Sequence, residues 1–545
     1  MKDKMLRITK NEELKMKNRM SHKPFPICKA IYFLFFILQF SIFNFQFPIS
    51  ASARTPRLVV GIVVDQLRSD YVEKFSYLYG EDGLKRLWSE GTVYVNGGYD
   101  FISPDRSSAT ASVYAGTEPC YHGIIGNRYL ERKTLKVRAC TDDAAFRGIH
   151  TAESTSPSGI LVTTLADELK IATGGRATIL SIAPERDMAV LAGGHAADAA
   201  LWLDDAEAMW ASSTFYDGVP SWVNLYNRRS NSPYDFKSLK WTPYYPQSSY
   251  RDLPEESAKD FCHTFTTKSV SRYKTSAIVN DEVTQLAKTC VISSPLGRDD
   301  RPDLLCVGYY AGVYDHQAEA YAPLELRDIY CRLDRNIADL IQTVEQYVGL
   351  ENVLFFVTST GYNDVHQPAV GAYNLPTGEV RMERCTALLN LYLGAIYGSG
   401  NWVEASYRNQ IYLNHALVES LQLKLRDVQE RCSEFLGQMS GVTRVYTSTE
   451  LMEGDSSPAV RGAFHQGRSG DILLEIAPGW SLVDERWGET IWSSRALVPV
   501  PVVFFGSDVA AMKTSDPVSV NAIAPTVASL LKMGIPNACS AKPLF

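Results

Sequence analysis

The sequence predicts an α/β protein built on one doubly wound, mostly parallel sheet that carries a cap insertion and a small α/β insertion. Three observations predict it. Arg57-Leu-Val-Val-Gly-Ile-Val-Val-Asp65 is a continuous apolar run around one glycine, the pattern of a parallel strand buried on both faces. Further short apolar runs alternate with stretches of helical periodicity, the order that builds a parallel sheet from crossover units. Two segments interrupt this alternation, and their compositions differ from each other and from the rest of the chain.

Residues 1–53 carry nine Lys/Arg against three acids, then an apolar run from Ala30 to Phe47, then Ala51-Ser-Ala53. A basic region, an apolar region and an Ala-x-Ala site read as a secretory signal peptide cleaved near Ala53. Gln39, Ser41, Asn44 and Gln46 interrupt the apolar run, which argues against a stable membrane anchor. Cleavage there leaves 492 residues with 45 basic and 58 acidic side chains, a formal charge of −13. That balance argues against nucleic acid or an anionic membrane as partner and, with the signal segment, places the protein in the periplasm or outside the cell.

Helical periodicity fits 71–90, 162–173, 325–348 and 520–532, and core strands fit 178–182, 303–309, 352–357 and 498–505. The core therefore comprises 54–195, 301–369 and 461–545. Residues 196–300, rich in Trp, Tyr, Pro, Ser and Asn, suit a cap of loops and short elements. Residues 370–460, with the helical stretch Leu413–Met439, suit a small α/β insertion. Nine cysteines follow the signal segment, without a Cys-x-x-Cys pair, and Cys120 with Cys140 is the disulfide to test first.

The residues that could carry chemistry begin with Asp65, delivered by the first strand to the carboxyl edge of the sheet, where open α/β sheets place their ligands. Ser103-Pro-Asp-Arg-Ser107-Ser108 reads as a loop entering a helix, with hydroxyls at the positively polarised amide end. An acid on a strand end facing such a helix start is a metal and phosphate geometry. A Ser-rich helix start is also an ordinary cap.

The string from Leu58 to Asn127, with Leu161-Val-Thr-Thr-Leu-Ala-Asp-Glu-Leu, Gly193-Gly-His195-Ala-Ala-Asp-Ala-Ala-Leu-Trp202 and Ala524-Pro-Thr-Val-Ala-Ser-Leu-Leu, resembles the periplasmic phosphate-irrepressible alkaline phosphatases. These belong to the alkaline phosphatase superfamily, with the nucleotide pyrophosphatase/phosphodiesterases. The resemblance implies that superfamily's fold and a centre of two zinc ions, which neutralise phosphoryl oxygens, activate the nucleophile and stabilise the leaving oxygen. It makes Asp65 the first-strand metal ligand, and Asn127 and Arg186 the phosphate-holding pair; Pro184 stands where the family has a Lys. Ser107, three residues after Pro104, takes the nucleophile's place, with Ser108 its rival; counted back from Gly116, that place falls on Arg106.

The later motifs depart from the pattern. His316 matches the His of an Asp-x-x-x-His loop, but Gly312 occupies the Asp position and Asp315 is a poor substitute beside it. Ser359 and Thr360 stand where an Asp-His pair should end a strand, and neutral hydroxyls are weak zinc ligands. No His follows His465, so the late ligand is missing. Asp364 and His366, two residues apart in Gly361-Tyr-Asn-Asp364-Val-His366, would share one face of an extended strand and are candidate replacements; a polar surface loop is the plainer reading of that segment.

Only Asp65 and His316 remain of six expected metal-binding side chains, so the zinc centre is expected to be absent or incomplete. The leading expectation is a phosphatase-like protein of impaired or no catalysis, binding a phosphate-type ligand or an envelope partner. The alternatives are an active phosphomonoesterase or phosphodiesterase with a rearranged metal site built from Asp65, Asp315, His316, Asp364 and His366, and a structural subunit of an envelope assembly.

Overall fold

The structure, a computed structural model, describes residues 55–228, 239–251, 253, 260–362, 376–492 and 498–545. Residues Thr55–Phe545 form one compact unit. Its central sheet has the strands β1 (Leu58–Asp65), β2 (Thr92–Gly98), β3 (Gly148–Ile149), β4 (Ile179–Ala183), β5 (Ala199–Leu203), β6 (Trp210–Ser213), β7 (Asp303–Tyr310), β8 (Val353–Ser359), β9 (Val500–Gly506), β10 (Met512–Thr514) and β11 (Val518–Ser519). Their order is β10-β2-β9-β8-β1-β7-β4-β5-β6-β3, with β11 on β2. β1 lies at the centre and pairs in parallel with β7 and β8. β7 continues in parallel to β4, and β4 to β5. β9 runs antiparallel to both β8 and β2.

All eight residues of β1 are buried, as a strand covered on both faces requires. Leu58, Val60, Ile62 and Val64 enter one core, with α3 (Ala277–Ser293) and α4 (Pro323–Tyr347) above them. Val59 and Val63 enter the other, beside α1 (Arg106–Ala115) and α2 (Arg186–Gly193). The register sets Asp65 beside Tyr310 and Val64 beside Ser359, so the ends of three strands meet at one edge.

The helix expected over 71–90 is instead three pieces: Ser69–Lys74, a 3₁₀ turn Ser76–Leu78, and Leu84–Glu90. The buried Asp334 carboxylate accepts from the amides of Gly80, at 2.8 Å, and Leu84, at 2.7 Å. It offers the backbone a better partner than a continued helix does. Within the expected cap, β5 and β6 are strands of the central sheet and α3 packs on α4. Its aromatic residues, Trp241, Tyr250 and Phe265 among them, join the main core. The Asp328 carboxylate holds them there, accepting from Trp241 Nε1 at 2.6 Å and from the Tyr250 hydroxyl at 2.8 Å.

The small insertion has its own core of Leu389, Ile411, Val428 and Ile472 and extends past 460, with strands to Trp492. Its expected long helix is two, His415–Ser420 and Leu425–Leu436. Buried Asp471 pins the insertion to the hairpin at 128–139. It accepts from Arg132 Nη1 at 2.9 Å and lies 2.8 Å from His415 Nε2.

A Cβ on Gly61 would fall 2.3 Å from Phe356 Cζ and 3.0 Å from the Tyr114 hydroxyl. Gly61→Ala should therefore cost about 1–3 kcal/mol through overpacking, read from the denaturant midpoint. The hydrogen bond to Asp471 raises the His415 pKa above its ordinary value. Stability from that pair is full below the unfolded pKa of about 6.5 and is lost as pH rises through the higher folded value. The Tm gap between wild type and His415→Ala should be wider at about pH 5.5 than at about pH 9 by calorimetry; an equal gap would refute the charge contribution.

Candidate active site

The helix start facing Asp65 is built by Asp105. Its side chain accepts from the Ser108 amide at 3.0 Å, while Ser108 Oγ accepts from the Asp105 amide at 3.0 Å, a reciprocal capping box. The second Asp105 oxygen accepts from the Asn127 amide at 2.6 Å. Ser108 is thereby a capping residue.

The next two side chains define the site. Ser107 is fully buried; its hydroxyl donates to Asp187 Oδ2 at 2.5 Å, and its amide donates to Asn127 Oδ1 at 2.9 Å. The Cys140 thiol lies 3.3 Å from the same hydroxyl. Arg106 extends its guanidinium across the edge of the sheet. Nε is 3.1 Å from both Asp187 oxygens, Nη2 is 3.1 Å from Asp187 Oδ1 and 3.8 Å from Glu185 Oε2, and Nη1 is 3.6 Å from Asp65 Oδ2. A second buried cation, Lys274, stands 2.6 Å from Asp205 Oδ1 and 3.5 Å from Glu185 Oε2.

Burial and charge compete at each acid. Burial raises the Asp65 carboxyl above its ordinary range, and the Arg106 charge and the Thr360 hydrogen bond only partly offset that. At Asp187 burial also pushes upward, but the Arg106 charge and the Ser107 hydrogen bond outweigh it and hold the carboxyl low. Glu185 is likewise held low, against burial, by Lys274 and Arg106.

The other candidate positions are engaged within the protein. The Thr360 hydroxyl donates to Asp65 Oδ1 at 2.5 Å, and Ser359 Oγ accepts from the Gly361 amide at 3.1 Å. At Gly312 a Cβ would meet the Tyr310 hydroxyl at 2.5 Å, so a side chain there requires Tyr310 to shift. Asp315 pairs with Arg272 at 3.0 Å, and His316 packs edge-on to Tyr310. Arg186 pairs with Asp142 at 2.9 Å and Glu153 at 3.3 Å, beside Arg138 and Lys136, in an open groove of about 680 Å³. Asp364 and His366 lie outside the described residues.

Among the described residues, no group of three or more His, Cys, Asp or Glu side chains is placed to hold a metal ion. A zinc pair needs several converging N, O or S donors. The three acids converge instead on a guanidinium, and the described donor set does not fit a two-zinc centre. Sequence reasoning identified Asp65 but missed Glu185, Asp187, Asp205 and Lys274. The acid-Arg-acid run Glu185-Arg186-Asp187, directly after a core strand, was a readable signal for the first two. Nothing local marked Lys274.

This sheet order, with an acid at the end of its central strand and a helix start facing it, is the architecture of the alkaline phosphatase superfamily. The crystal structure of wild-type alkaline phosphatase PafA matches it at a TM-score of 0.76 and 26% identity, over 90% of this chain and 98% of that one. The chain belongs to the type I phosphodiesterase / nucleotide pyrophosphatase family, whose family model matches residues 59–497. It is 28% identical to alkaline phosphatase PafA of Elizabethkingia meningoseptica, over 90% of this chain and 94% of that protein. It is 26% identical to alkaline phosphatase PhoV of Synechococcus elongatus, over 88% and 91% of the two.

The structure corrects one expectation about covalent links: Cys120 and Cys140 are both free thiols. Cys140 faces Ser107 inside the site, and burial pushes its pKa up to about 12. Iodoacetamide under native conditions at about pH 8 should label exposed Cys262 and leave Cys140 unmodified, while denaturant without reductant should expose Cys140 to labelling. Peptide mass spectrometry reads both; Cys140 that resists labelling after denaturation would mean a disulfide.

Proposed function

We propose that this chain is an exported phosphatase-fold protein in which hydrolysis through two metal ions is lost or severely impaired. The observation that carries this reading is the Arg106 guanidinium seated among Asp65, Glu185 and Asp187. Two-metal hydrolysis needs cations that accept the phosphoryl and leaving oxygens as ligands. A guanidinium ringed by protein carboxylates has no such position to offer.

The nucleophile's place points the same way. Ser107 is buried and donates to Asp187, a carboxylate held low by Arg106 and so a weak general base. The amide oxygen of Asn127 and the guanidinium of Arg186 are engaged with Ser107, Asp142 and Glu153. A phosphate-type ligand would compete with Asp142 and Glu153 for the Arg186 guanidinium. Export rests on the basic, apolar and Ala-x-Ala pattern of residues 1–53. Among the described residues no helix is long and apolar enough to cross a membrane.

The second reading, an active phosphoesterase with a rearranged site, is favoured by the likeness to PafA and PhoV, both named as alkaline phosphatases. Elemental analysis of the purified protein, with hydrolysis of an aryl phosphate monoester and diester in added zinc, separates the two. The expected result is zinc well below one ion per chain and no turnover above buffer. About two zinc ions per chain, with turnover that Ser107→Ala abolishes, would overturn the proposal.

A further inference from the structure

The acids of this site lie at positions where burial demands a positive charge. Asp65, Glu185 and Asp187 surround Arg106, and Glu185 with Asp205 surrounds Lys274, which is 4% exposed. The two cations share Glu185, so the groups form one chain, Asp205-Lys274-Glu185-Arg106-Asp187, with Asp65 on the far side of the guanidinium. It joins five pieces of the fold: the end of β1, the start of α1, the start of α2, the turn after β5 that carries Asp205, and the short helix Val270–Lys274.

We infer that Arg106 and Lys274 are the resident cations of this site, and that the acid ring around Arg106 is a binding site for a planar guanidinium group. Its occupant is the chain's own side chain. A guanidinium meets carboxylates on two edges through a fixed fork of N–H donors, whereas a metal ion requires the oxygens to close on one point. The ring has the first geometry: Nε and Nη2 take Asp187 on one edge, while Nη1 faces Asp65 on the other. The inference rests on the proposed function in taking the site as one without a metal pair, but it concerns what the ring binds and is tested separately.

The test is thermal unfolding of the full exported chain. The wild-type Tm is expected to be unchanged by a chelator and by millimolar zinc, manganese or calcium. Arg106→Ala is expected to lower Tm by several degrees. Millimolar methylguanidinium should restore much of that loss in a saturable way, while equal concentrations of methylammonium or sodium chloride should not. Arg106→Lys keeps the charge but loses the fork, and should fall between wild type and Arg106→Ala. If Arg106→Ala gives no folded protein, Arg106→Lys with methylguanidinium absent, together with chelation of the wild type, carries the test.

Three results would each overturn the inference: a wild-type Tm that drops on chelation, an Arg106→Ala protein rescued by a divalent ion rather than by methylguanidinium, or Arg106→Lys equal in Tm to wild type. Turnover with zinc by a wild-type chain that passes these tests would overturn the functional proposal and leave the guanidinium site standing.

Discussion

The structure of this site depends on the pairing of Arg106 with Asp187. A buried carboxylate without a partner is strongly disfavoured, and here three acids sit within 4 Å of one guanidinium at the edge of a closed core. Arg106 contributes through its shape as well as its charge. A lysine ammonium is a point charge and would satisfy one or two of these acids; a guanidinium reaches opposite edges at once. The same Asp187 accepts the Ser107 hydroxyl, so the pair also fixes the side chain in the nucleophile's place.

The fold supplies this arrangement without reference to the chemistry done there. Parallel pairing of β1 with β7 and β8 brings Asp65, Tyr310 and Ser359 to one edge, whatever those residues are. The sheet of a phosphoesterase can therefore persist while its edge changes, since fold and function are separable. Tyr310 illustrates the point. Its hydroxyl donates to the Val313 carbonyl at 2.7 Å and lies where a side chain at position 312 would begin, so the loop after β7 closes on itself through that bond.

Much of the sheet was legible in the sequence because its strands are short, apolar and buried on both faces, as in Leu58–Asp65 and Val353–Ser359. Asp65 was legible because it ends such a run. The broken helix at 69–90 was not, because Asp334, which takes the two amides, is some 250 residues away in sequence. The cap boundary was misjudged for a related reason: an aromatic-rich composition does not reveal that Trp210 lies on a sheet strand and that Trp241 is bonded to α4 through Asp328. At the site, counting from Pro104 put the nucleophile's place on Ser107 and counting back from Gly116 put it on Arg106. They could not say which side chain turns toward Asp65 and which buries itself, because that choice is made by Asp187 and Glu185 across the edge of the sheet.

A buried ion-pair network adds little net stability over well-packed apolar residues, since desolvation offsets most of the Coulombic gain. What it adds here is position. Arg106 ties the end of β1 to the starts of α1 and α2, and removing the partner of a buried charge costs about 3–5 kcal/mol. The start of α1 is therefore held in one register against β1 and α2, and with it the burial of Ser107 and the capping role of Ser108. The contacts on which the proposed loss of two-metal hydrolysis rests are thus also the ones that fix the site: Arg106 holds Asp187, and Asp187 accepts the Ser107 hydroxyl.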